Sequence, residues 1–160
     1  MVNTKMNSKP KQKITGNKGF SLIELLIIMA LLLIVAGLAV PNYMAALSRA
    51  NEASAASSVR TIISAENLYR NTYGTYSDLP ALGVDYLTDQ MLAGGRKSGY
   101  VFDTTPGSGS AAALQFSVQA TPALSIGPSA SGTRTYFGDE SAVIRFSQTG
   151  TADVSSPPIQ

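Results

Sequence analysis

Hydrophobic positions along this chain fall into three regimes. Between Leu22 and Val40 nearly every residue is apolar (LIELLIIMALLLIVAGLAV), and Glu24 is the only ionisable group among them. A bilayer core takes about 20 apolar residues in helical form, so Phe20 to Val40 is long enough to span with slight mismatch. From Asn42 to Tyr73 the apolar positions thin to three- and four-residue steps: Tyr43, Leu47 and Ala50, then Val59, Ile62, Ile63, Tyr69 and Tyr73. That is a helical stripe, with Arg49, Glu52, Arg60, Glu66 and Arg70 largely off it and no glycine or proline inside it. From Gly99 onward the period is two, as in strands.

Pro41 stands between the first two regimes, where a proline ends or kinks a helix. One helix from about Phe20 to Tyr73, kinked at Pro41, explains the pattern better than two separate elements. At 1.5 Å per residue it would be about 80 Å long, more than a small domain covers. Its first half is therefore predicted to be buried in lipid or in other subunits, and Val59 to Tyr73 to pack on the chain's own sheet. The alanine- and serine-rich part, Ala45 to Ser58, permits close helix approach.

Gly74 is predicted to stop the helix, with Gly74 to Pro80 a loop and Asp85 to Leu92 one or two short helical turns. Gly94 to Gly99 reads as a turn. The spacing G-x-x-x-x-G-K-[ST] is absent there, so a phosphate-cradling loop is not indicated. A strand begins at Tyr100-Val101-Phe102, and Gly107 to Ser110 is a flexible connection. Leu114 to Ala120 alternates with Leu114, Phe116 and Val118 on one face. Thr133 to Phe137 and Ala142 to Phe146 are two more runs, joined by Gly138-Asp139-Glu140-Ser141, which is hairpin chemistry. The loop Thr121 to Gly132 is rich in Pro, Gly and Ser. The predicted fold class is α+β, a long amino-terminal helix packed on a four-stranded antiparallel meander. Its divisions are a leader over 1–19, an apolar helix half over 20–41, an amphipathic half over 42–73, a head over 74–150 and a loose tail over 151–160.

Charge adds an orientation. The 160 residues carry a formal net charge of +2, but residues 1–19 hold Lys5, Lys9, Lys11, Lys13 and Lys18 and no acid. The rest of the chain is net acidic. A basic flank before an apolar span places the amino terminus in the cytoplasm, with the bulk in the periplasm or outside. There is no cysteine and no histidine. The commonest general base and metal ligand is thus missing, which tilts the chain towards a structural role.

Three readings compete for residues 1–40. A secretory signal fits the lysines, but its apolar run is usually about 7–15 residues, shorter than this one, and no A-x-A site follows. A plain signal anchor would leave Glu24 snorkelling at the interface. The third rests on KGFSLIELL, Lys18 to Leu26: a lysine-rich leader ending in a glycine, then an aromatic, then an acid, all before the full-length span. This stretch closely resembles the processing site of the type IV pilin and type II secretion pseudopilin family. The resemblance implies cleavage between Gly19 and Phe20 by a prepilin peptidase, N-methylation of Phe20, and Glu24 as the residue that registers subunits in a filament. A start at Met6 in place of Met1 would give a shorter leader. The pilin fold is also what the order of elements suggests, and YGTYSDL and KSGYVF resemble pilin-like sequences. The physics of Glu24 points the same way: a carboxylate in a spanning helix is costly, less so near its start, and is retained when it gains a paired charge.

The resulting expectation is a structural filament subunit, not an enzyme, resident in the bacterial inner membrane before assembly. The implied partners are copies of itself, the peptidase and methyltransferase, an inner-membrane assembly platform, an assembly ATPase and membrane lipid. A type II secretion pseudopilin is the near alternative. No cofactor is expected, although Asp139, Glu140 and Asp153 offer oxygens for calcium as in some pseudopilins; their spacing is not a recognisable calcium loop. A membrane-anchored DNA-binding module would need a basic, aromatic-interleaved surface. Arg96 and Lys97 beside Tyr100, with Arg134 and Arg145, are its candidates, and a net acidic mature chain speaks against nucleic acid.

Overall fold

The computed structural model describes residues 19–109, 114–127 and 129–159, in two compact units divided between Leu38 and Ala39. The leader up to Lys18, Ser110 of the expected connection, and Gln160 lie outside the described residues.

Helix α1 runs from Leu22 to Tyr73. In the first unit the described side chains of α1 are all exposed, Glu24 among the aliphatic ones. In the second unit one face becomes core: Ala55, Val59, Ile62, Ile63 and Ala65 are buried, each large aliphatic adding about 1.5–3 kcal/mol. Glu52 and Glu66 are buried with them, so these two acids lie on the packed face and not off it as expected. Pro41 sits inside α1 with helical residues on both sides, so it does not end the helix. The helix stops at Gly74, whose φ of +79° suits glycine and whose N–H still reaches the Arg70 carbonyl at 2.7 Å.

Two short helices follow: α2 begins inside the expected loop, at Leu79, and α3 falls where one or two short helical turns were expected. Helix α2, Leu79–Tyr86, is capped by Asp78, which accepts the Ala81 N–H at 3.0 Å, and carries Pro80 in its first turn. Helix α3, Gln90–Ala93, is capped by Asp89, which accepts from Met91 and Leu92.

The sheet is an antiparallel meander of five strands in chain order, one more than expected. The extra strand is β1, Arg96–Lys97, inside what reads as a glycine turn. Then come β2 (Tyr100–Pro106), β3 (Phe116–Pro122), β4 (Thr135–Asp139) and β5 (Arg145–Ser147). The inward faces are Tyr100, Phe102 and Thr104; Phe116, Val118 and Ala120; and Tyr136 and Gly138. Leu114, expected on the inward face, precedes β3 and is exposed. At Gly138 α1 approaches the sheet closely: a Cβ there would lie 2.8 Å from Ile63 Cδ1 and 3.0 Å from Val59 Cγ1.

The carboxyl-terminal segment, expected to be loose, lies along β5. Phe146 N–H donates to the Pro157 carbonyl at 3.0 Å and Ile159 N–H to the Ile144 carbonyl at 2.9 Å. Arg145 Nη1 reaches the Ser156 carbonyl at 3.0 Å, and Gln119 Nε2 reaches the carbonyl of buried Ala152 at 2.8 Å. These bonds hold the end of the sheet in a chain that has no cysteine to cross-link it.

Candidate functional site

Gly19, Phe20 and Ser21 precede α1, and the Ser21 carbonyl accepts the Leu25 N–H at 3.1 Å, the first bond of the helix. Gly19 and Phe20 are exposed. A Cβ placed on Gly19 would meet nothing within 4 Å, so packing within the chain is not the reason for glycine there. Glu24 stands in the first helical turn, exposed, where the positive end of the helix favours a carboxylate. Among the described residues no donor meets that carboxylate. Ser21 and Glu24 have the S-x-x-E spacing of a capping box, in which either glutamate or glutamine occurs, but among the described residues its reciprocal side-chain bonds are not formed. Glu24 lies within the apolar first part of α1, a helix long and apolar enough to cross a membrane, whose most apolar stretch is not covered within the chain. Length and apolarity there suit a bilayer or a bundle of like helices.

The other two glutamates of α1 are treated differently. Glu52 Oε1 accepts both the N–H and the hydroxyl of Thr133, at 2.8 and 2.9 Å, and Oε2 lies 3.7 Å from Arg134 Nε. Arg134 in turn stacks over the Phe146 ring at 4.9 Å, and its carbonyl accepts the Tyr100 hydroxyl at 2.8 Å. This network ties α1 to the start of β4. Beside it lies a groove of about 910 Å³, lined by Arg49, Glu52 and Ala53 on the helix and by Phe146 and Pro158 opposite. Glu66 is fully buried, with Oε2 accepting the Ser77 N–H at 3.1 Å. No periodicity rule finds such acids, because a stripe is recognised by apolar residues only.

The residues proposed for metal or nucleic acid do not converge. Asp139 accepts from the N–H and hydroxyl of Ser141, and Glu140 from the Phe116 N–H at 3.4 Å. Asp153 accepts from Ser155 and Ser156, bonds that hold its carboxyl pKa below the usual carboxylate range, the Ser155 hydroxyl foremost. No three His, Cys, Asp or Glu side chains among the described residues are grouped to hold a metal. Lys97 pairs with Asp89 at 2.8 Å, a bond that is the main cause of the lowered Asp89 pKa. Tyr100 is buried, which raises its hydroxyl pKa and removes its ring from any base stacking. Arg134 and Arg145 are committed to Glu52 and to the Ser156 carbonyl.

Comparison with known proteins bears on the amino-terminal segment directly. Residues 14–40 match the family model of the prokaryotic N-terminal methylation motif, which takes in Gly19, Phe20, Glu24 and the apolar run. The chain is also 32% identical over 62 residues to the type IV major pilin protein PilA of Myxococcus xanthus (strain DK1622). That stretch is 39% of this chain and 28% of PilA, so the chain spans little more than a quarter of that relative's length. The chain carries a prokaryotic N-terminal methylation motif and is similar, over part of its length, to a type IV major pilin.

Proposed function

We propose that this chain is the structural subunit of a type IV pilus-like filament, held in the bacterial inner membrane by the first half of α1 and then assembled with copies of itself. The observation that carries the reading is the methylation motif at the start of a helix whose first half has no cover of its own. Cleavage between Gly19 and Phe20 on the cytoplasmic side frees an amine, which is methylated. The helix then passes from lipid into a bundle of like helices, with Pro41 providing its bend. Glu24 is the polar group that fixes the stagger of one helix against the next, by pairing with a neighbour's amine. A peptidase, an assembly platform and an ATPase are the partners this route requires, and the chain needs no catalysis of its own.

The nearest alternative, a secretion pseudopilin, would gain from a calcium site near the carboxyl terminus. The oxygens offered for one are engaged by local donors, and the named relative is a major pilin. The pilus reading is therefore preferred.

Mass spectrometry of membrane and filament fractions tests the processing. A mature chain beginning at N-methylated Phe20 is expected, and an intact leader in both fractions would sink the proposal. Glu24→Gln removes the charge and keeps a side chain that the S-x-x-E spacing could still use as a cap. Insertion and cleavage should persist while filament yield collapses. Normal yield would assign Glu24 to capping and remove its role in register.

A further inference from the structure

Of the two carboxyl oxygens of Glu66, one accepts the Ser77 N–H and the other, Oε1, is buried without a partner. Ser77 lies in the connection between α1 and α2, directly before Asp78, the cap of α2. A half-satisfied buried carboxyl therefore ties Ser77 to the helix, beside the Tyr76 hydroxyl, which is bonded to Arg70 and Asn67 of α1. When ionised, that carboxyl bonds Ser77 more strongly, but the cost of burying its unpaired charged oxygen is larger and is relieved only when the connection opens to water; a neutral carboxyl removes that cost. We propose that Glu66 is a proton-operated latch: neutral, it holds Ser77 and the connection from Gly74 to Asp78 closed on α1, and ionised, it loosens that connection, while α2 stays anchored by buried Leu79 and Leu82.

The neighbouring groups favour the neutral form. Asp78, in the same connection, adds a like charge. Arg70, one turn along α1, is turned instead to Tyr76, at 3.2 Å from its hydroxyl and 5.2 Å from its ring centre. On the sheet side, Phe116 packs its ring 4.4 Å from that of Tyr76, and its N–H is taken by Glu140. Burial first, then repulsion from Asp78, raise the Glu66 pKa from 4.5 to about 7 against the opposing Ser77 bond. The folded chain thus keeps this proton up to about pH 7, whereas the unfolded chain releases it near 4.5. More protons are bound in the native state across that window, so stability is greatest below it and falls as pH rises through it.

The test uses the full-length protein in detergent micelles, unfolded by denaturant between pH 4.5 and 8, with Glu66→Gln alongside. The wild-type folded-to-unfolded ratio should fall on the order of a hundredfold across the window, and Glu66→Gln should lose that slope. Exchange of the Ser77 amide, corrected for its intrinsic pH dependence, should accelerate over the same range before the core strands do. A wild-type chain with no loss, or a glutamine variant with the same slope, would overturn the latch. If Glu66→Gln does not fold, carbon NMR titration of the wild-type carboxyl decides. A midpoint near 7 that moves with the Ser77 N–H upholds the proposal, and one near 4.5 defeats it.

Discussion

Glu24 and Glu52 sit on the same helix, yet among the described residues one is exposed with no donor in reach and the other holds two donors and an arginine of its own chain. The difference belongs to the two halves of α1. The half ending at Leu38 is apolar on every side and covers nothing; the half from Ala39 has one face and a sheet to meet it. The first half buries none of its apolar surface within the chain, whereas the second buries one face and leaves Tyr43, Leu47, Leu68 and Tyr73 exposed on the other. A residue's environment is therefore not a property of the helix it belongs to, and equal substitutions in the two halves should have unequal outcomes.

The largest contrast comes from placing an acid in each. Ile62→Asp buries an unpaired carboxylate at a fully covered site and should cost more than about 4 kcal/mol, leaving the head unfolded and open to protease. Ile34→Asp should leave the head resistant and appear only as poorer membrane retention on fractionation, an insertion penalty of about 2.5–3.5 kcal/mol. Equal protease sensitivity of the two variants would break the comparison.

Next in size are the glutamates. Glu52→Ala strands the N–H and hydroxyl of Thr133, each lost acceptor costing about 1–3 kcal/mol, so urea unfolding should shift clearly. Glu24→Ala should leave the same transition where it is. Smaller still is the pair of glycines. Gly138→Ala pushes a methyl group onto Ile63 and Val59 and should cost about 1–3 kcal/mol in thermal unfolding. Gly37→Ala meets nothing within 4 Å and should favour the helix by up to about 1 kcal/mol, read as raised helicity in micelles.

The same division explains what was legible in the sequence. The apolar span and the KGFSLIELL motif depend on neighbours along the chain, so both could be read directly, as could alternation in β2 and β3. Burial of Glu52 and Glu66 depends on donors 81 and 11 residues away, which no local pattern encodes. Strand β1 is two residues long, too short for any period, and exists because Arg96 and Lys97 lie opposite Val101 and Tyr100. The carboxyl-terminal segment has prolines and serines in place of alternation, and its order comes from backbone bonds to β5 and a side-chain bond from β3. Leu114 kept the strand's phase by count, but the ladder begins only at Phe116.

That carboxyl-terminal clasp has a practical consequence. Its closure consists of N–H to carbonyl bonds at Phe146 and Ile159 and an arginine on the Ser156 carbonyl, with no covalent bridge. The last strand can thus seal as soon as the chain collapses, without waiting for a thiol oxidant or an isomerase. Reducing agents have nothing in this head to act upon.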